Sequence, residues 1–92
     1  MIKRNYKVAS MFAGIGGICL GFKNNGCDIV WANEMDKHAC ETYRHNFNGA
    51  PYLVECDIHD ITRPKDGESI YNCIKRVSET IPDFDILTAG FP

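Results

Sequence analysis

Val8-Ala-Ser-Met-Phe-Ala-Gly-Ile-Gly-Gly-Ile-Cys-Leu-Gly21 is an apolar run that breaks into a cluster of glycines and resumes with helical spacing. It reads as a first strand, a tight turn and the start of a helix. Gly14, Gly16 and Gly17 remove side chains where a strand must reverse into a helix, so backbone N–H groups can come within contact distance of a ligand. Gly21 is expected to let that helix pack closely on the sheet. Such a turn is the usual ligand seat of a doubly wound α/β domain, beyond the carboxyl ends of its strands.

The turn does not fit the dinucleotide fingerprint. Starting G-x-G at Gly14 places Cys19 where a third glycine or alanine should fall, and this disfavours a nicotinamide-dependent oxidoreductase.

Working outward, strand and helix alternate. Tyr6 to Phe12 is expected as strand, and Gly17 to about Asn24 as a helix packing through Ile18, Leu20, Gly21 and Phe22. Cys27 to Asn33 reads as a second, mostly buried strand, ending in Glu34-Met35-Asp36. Asp36 is a good N-cap for a helix from Lys37 to Asn46, whose expected inner face is Ala39, Thr42, Tyr43 and Phe47. Tyr52 to Cys56 is a short third strand, followed by Asp57-Ile58-His59-Asp60-Ile61. After the turn at Pro64 to Gly67, Ile70, Ile74, Val77 and Ile81 form an apolar stripe on a helix from Glu68 to about Thr80, and Phe84 to Gly90 is the fourth strand. This alternation selects a parallel sheet with right-handed crossovers.

With 92 residues, the chain can make one small core but not a second domain. It is 45% hydrophobic and 24% charged, close to the average for folded soluble chains. No apolar run approaches the ~20 residues needed to span a bilayer, and the start does not resemble a signal peptide, so a cytoplasmic location is expected. Five scattered cysteines without a C-x-x-C pair argue against a disulfide framework or a zinc site, and no metal is expected. The net charge of −2, with no clustered Lys/Arg, carries no electrostatic footprint for nucleic acid.

Glu34 lies 20 residues after Gly14 at the end of the second strand. An acid at this spacing meets the ribose hydroxyls of a nucleoside cofactor, because a carboxylate can accept from both members of a vicinal diol. Asp57 follows the third strand in the same way. Its carboxylate could accept from an adenine amino group with the Ile58 N–H beside it, or it could simply form a turn.

Four segments in order resemble the DNA (cytosine-5)-methyltransferases: Phe12-Ala-Gly-Ile-Gly-Gly17 with Leu20-Gly21-Phe22; Asn33-Glu-Met-Asp36 with the helix to Asn46-Phe47; Asp57-Ile58; and Asp85-Ile-Leu-Thr-Ala-Gly-Phe-Pro92. The resemblance covers nearly the whole chain. It implies an α/β fold, the Rossmann-like, three-layer S-adenosylmethionine-dependent methyltransferase fold, here in part, with about four parallel strands. It also implies an S-adenosylmethionine site. Phe12, Ala13, Gly14, Ile15, Gly16 and Gly17 would meet the cofactor, Glu34 the ribose, Met35 the adenine face, Asp57 and Ile58 the adenine edge, and Gly90 and Pro92 the methionine end. Two departures stand out: Ser10, where members commonly have Asp, and Met35, where some have Trp. A thioether can still pack on adenine.

In that family Gly-Phe-Pro is followed at once by the catalytic cysteine, whereas this sequence ends at Pro92. Carbon 5 of cytosine becomes nucleophilic only after a thiolate adds at carbon 6, and a recognition domain must capture the flipped base. None of the five cysteines replaces that thiolate, with Cys56 the nearest candidate. Residues 1–92 are therefore expected to be the amino-terminal, cofactor-binding part of a bacterial DNA cytosine-5 methyltransferase of restriction-modification type, without its recognition domain. Such a part would be inactive alone, a fragment or one subunit of a split enzyme completed by a second polypeptide, and would meet DNA through parts outside it. A transfer-RNA cytosine methyltransferase and a non-catalytic S-adenosylmethionine-binding regulatory module are the alternatives.

Overall fold

The computed structural model describes residues 5–90. It is an alternating α/β arrangement: β1 (Lys7–Met11), α1 (Gly17–Asn24), β2 (Asp28–Glu34), α2 (Lys37–Asn46), β3 (Leu53–Glu55), α3 (Ile58–Thr62), α4 (Ile70–Thr80) and β4 (Ile86–Ala89). The strands form one parallel four-stranded sheet in the order β3-β2-β1-β4. The order reverses direction at β1, so the β1 and β4 carboxyl ends open a crevice of the kind that receives ligands in doubly wound sheets.

Adjacent β2 residues feed opposite faces, as strand geometry requires. Ala32 joins Cys19, Cys40, Tyr43, Phe47, Ala50 and Leu53 beneath α1 and α2, whereas Trp31 joins Ala9, Ile58 and Ile61 beneath α3. Helices thus cover both faces, giving the expected three layers. On the first face, Tyr43 and Phe47, one turn apart, stack at 4.4 Å between ring centroids. Tyr52 meets Tyr43 edge-on at 6.1 Å, and the two hydroxyls share a hydrogen bond of 3.1 Å. Burying each of these rings contributes on the order of 2 kcal/mol.

Asp36 caps α2 as its sequence position predicts, accepting from the His38 and Ala39 N–H groups. The inner face of α2 is Cys40, Tyr43 and Phe47 rather than the expected set, since Thr42 points to solvent. In α1 the buried residue is Cys19; Ile18 and Leu20 are half exposed, and Gly21 has open space where a Cβ would stand. Gly21 therefore does not serve close packing on the sheet. Asp57 caps an additional one-turn helix, α3, where a simple connection is expected from sequence. Ile70 and Ile74, half of the predicted α4 stripe, are 65% and 64% exposed, and α4 buries Cys73 instead. No helix among the described residues is long and apolar enough to cross a membrane.

Candidate functional site

The β1–α1 turn is held from two sides. Ala13 N–H donates to Asn33 O at 2.9 Å, and Gly14 N–H donates to Glu34 Oε1 at 2.8 Å. Phe12 takes a positive φ of 55°, a conformation that costs a bulky side chain on the order of 1 to 3 kcal/mol and is found where a site demands it. Gly14, at φ 60°, has nothing within 4 Å of where a Cβ would stand, so its backbone faces open space.

That space is a cavity of about 330 Å³ lined by Phe12, Gly14, Asn33, Glu34, Met35, Asp57, Ile58 and Gly90. It lies at the carboxyl ends of β1, β2 and β4 and just beyond β3. Met35 stands over it, 65% exposed. Asp57 accepts from His59 N–H through Oδ1 at 2.9 Å, with His59 Nδ1 3.2 Å from the same oxygen. Asp57 also lines the cavity wall. Ile58 buries its side chain in the core and offers only its N–H, which at the first position of α3 has no partner within the helix.

Glu34 is more heavily engaged than its spacing suggests. Besides Gly14, the Met35 and Asp36 N–H groups donate to Oε2, each at 2.9 Å. A carboxylate has about four accepting positions, so three are taken by backbone and the remaining one is on Oε1. Glu34 is thus a knot between the glycine turn and the end of β2, with one acceptor to spare for a hydroxyl.

Of the other sequence-derived candidates, Ala13, Ile15, Gly16 and Gly17 lie apart. Ala13 packs against the α2 cluster. Ile15, Gly16 and Gly17 line a separate concavity with Leu20, Asn46 and Phe47, and a Cβ on Gly16, at φ 102°, would collide with Phe47 Cε2. Gly90 lies in the cavity wall, its N–H donating to Met11 O at 3.3 Å. Pro92 is outside the described residues. Ser10 is buried within β1.

Asn33 is a cavity residue not singled out from sequence. Its side chain is 1% exposed, and Nδ2 donates to Val54 O at 3.1 Å and Cys56 O at 2.9 Å. The available signal was its position, a carboxamide in an otherwise apolar strand, which must find partners when buried.

Cys40 and Cys56 are poorly suited to nucleophilic work. Burial, then Glu55, pushes the Cys40 thiol up to about 11. Burial followed by Asp60 and Asp57 also raises Cys56, beside the cavity, and a thiol held neutral is a weak nucleophile. No group of three or more metal-ligating side chains occurs among the described residues.

A larger concavity, 670 Å³, lies on the Trp31 face of the sheet between α4 and β4, lined by Met11, Trp31, Ile74, Val77, Phe84 and Leu87 among others. Its polar lining is Thr62, Ser78 and Asp83, without the glycine turn that opens the smaller cavity.

Comparison with known proteins gives a consistent result. The family model for C-5 cytosine-specific DNA methylase matches residues 6–92. The Type II methyltransferase M.HaeII of Haemophilus aegyptius is 44% identical over 89 residues, covering 97% of this chain and 22% of that protein. The Type II methyltransferase M.NgoFVII of Neisseria gonorrhoeae is 42% identical over 86 residues (94% and 19%), and a DNA-cytosine methyltransferase of Escherichia coli K12 is 39% identical over 90 (95% and 19%). The chain spans about a fifth of the length of these curated relatives.

Proposed function

The chain belongs to the C-5 cytosine-specific DNA methylase family, and on that premise we propose that residues 1–92 are the S-adenosylmethionine-binding part of a bacterial DNA cytosine-5 methyltransferase of restriction-modification type. The observation that carries this reading is the cavity at the strand ends, where an acid, an exposed thioether, a second carboxylate and a side-chain-free turn converge. Bound there, S-adenosylmethionine supplies an electrophilic methyl group. Glu34 Oε1 accepts from a ribose hydroxyl, Met35 covers one face of the adenine, and Asp57 with the Ile58 N–H reads its amino group and adjacent ring nitrogen. Phe12 and the Gly14 backbone form the floor, and Gly90 borders the methionine end.

The residues fit such a ligand physically. Gly14 leaves room for close approach, Oε1 of Glu34 retains an accepting position, and the exposed Met35 thioether is polarizable enough to pack on a flat base.

In the working enzyme, further polypeptide carrying the thiolate and the recognition domain covers the apolar α4/β4 face and extends the sheet past β4, whether in the same chain or as a second subunit. The exposed Ile74 of α4 and Leu87 of β4, beside a parallel sheet that is ordinarily covered on both faces, support this. The test is a radiolabelled methyl-transfer assay on mixed-sequence DNA. Residues 1–92 alone are expected to give no product, and product is expected only when the polypeptide carrying the thiolate is supplied. Transfer by residues 1–92 alone overturns the proposed division of labour. Tight cofactor binding with no transfer in the completed protein favours a regulatory S-adenosylmethionine-binding module, and transfer to transfer RNA alone assigns the substrate differently.

A further inference from the structure

The Asp57–Ile58 pair is a short piece of backbone with a helix of one turn behind it, so its position depends on what grips it from each side. On the upstream side Asn33 Nδ2 donates to Val54 O and Cys56 O, tying the last strand residues and the residue just before Asp57 to β2. On the downstream side the Arg76 guanidinium of α4 donates from Nη1 to Ile61 O at 3.0 Å and from Nη2 to Arg63 O at 3.1 Å. These carbonyls are at the carboxyl end of α3, where helix carbonyls lack internal partners. Arg76 is itself aimed by a two-pronged pair with Glu68: Nε to Oε2 and Nη2 to Oε1, both at 3.0 Å. A planar fork can make such a set of bonds, and a lysine ammonium cannot reproduce it.

We propose that Asn33 and Arg76 are positioning residues for base recognition: they clamp the two ends of the Cys56–Arg63 segment and so set where Asp57 and the Ile58 N–H meet the purine edge of the bound nucleoside. The inference rests on the S-adenosylmethionine reading above. Arg76 touches no cavity residue directly, so it acts only through α3.

The readout is discrimination rather than affinity. S-adenosylhomocysteine and its deaminated counterpart S-inosylhomocysteine differ only at the purine edge, where the amino donor becomes an oxo group and the ring nitrogen acquires a proton. The full-length wild-type protein is expected to prefer the adenosyl ligand by about ten- to a hundredfold, the range for one or two buried hydrogen bonds to a charged group. Arg76→Lys and Asn33→Asp, the latter keeping shape while removing the donor, are each expected to bring that ratio close to one. A merely structural role lowers the folded fraction and weakens both ligands alike, leaving the ratio intact. Arg44→Lys, which loosens the separate ion pair between α2 and Glu55 of β3, serves as a control with an unchanged ratio. Should Asn33→Asp fail to fold, Arg76→Lys decides. A wild-type ratio retained in Arg76→Lys overturns the clamp while leaving the cofactor reading in place; a wild-type protein that binds both ligands equally removes the Asp57 role and the clamp with it.

Discussion

Glu34 Oε1 accepts the Gly14 N–H at 2.8 Å across 20 residues of chain. This one bond joins the two features from which a nucleoside site was inferred in the sequence, the glycine turn and the acid after the second strand. It also gives Glu34 two tasks. With Oε2 holding the Met35 and Asp36 N–H groups, the carboxylate fixes the shape of the cavity mouth before any ligand enters.

The glycines of the turn separate by what surrounds them. Gly16 combines φ 102° with Phe47 and Tyr43 where a Cβ would stand, whereas Gly17 begins α1 with open space there. Gly16→Ala is expected to destabilise by on the order of 2 kcal/mol or more through strain and overpacking, lowering the midpoint of thermal unfolding by roughly 10 °C in a domain of this size. Gly17→Ala should raise it slightly, because the unfolded chain loses freedom. Equal midpoints in differential scanning calorimetry would show that α1 does not dock on Phe47 as described.

The acid limb of stability should report Glu68. Its bonds from Arg76 and from the Lys65 N–H hold the carboxyl down at about 2, below its ordinary 4.5. A group depressed on folding contributes stability that is complete above the unfolded value and lost as pH falls through the folded one. The contribution of Glu68 is therefore full above about pH 4.5 and fades toward about pH 2. Urea midpoints measured across that window should fall more steeply for wild type than for Glu68→Gln. Parallel curves would mean that the pair with Arg76 does not persist in solution.

The α4/β4 face should make residues 1–92 self-associate. Ile74 is 64% and Leu87 52% exposed beside the unpaired edge of β4, and an uncovered parallel edge with apolar neighbours recruits other chains. Sedimentation velocity is expected to show concentration-dependent association that the pair Ile74→Lys and Leu87→Lys abolishes, with stability changed by no more than about 0.5 kcal/mol per site. A monomer with a sharp melt at all concentrations would show that this face needs no cover.

Much of this architecture was legible in the sequence because strand and helix periodicities are local. The bounds of α2 and the Asp36 cap follow from residues within one turn of each other, and the parallel sheet follows from the alternation. What escaped depends on distant or brief features. The five residues of α3 are too few to display a period, so Asp57 reads as a turn residue until its capping bond is seen. The inner faces of α1 and α2 contain Cys19 and Cys40, small apolar side chains whose burial is set by the aromatic rings around them. The α4 stripe is apolar as its spacing predicts, yet among the described residues Ile70 and Ile74 stay largely exposed. Asn33 carried a legible signal as a polar residue in a buried strand, whereas nothing local links Arg76 to α3.

The central claim, that the strand-end cavity binds S-adenosylmethionine through Glu34, is tested most directly by calorimetric titration of S-adenosylhomocysteine into the full-length wild-type protein and Glu34→Ala, with NAD as competitor. The expected result is saturable binding that NAD does not displace, weakened about ten- to a hundredfold in Glu34→Ala, the range for a lost hydrogen bond to a charged group. Unchanged affinity in Glu34→Ala, or displacement by NAD, would contradict the account.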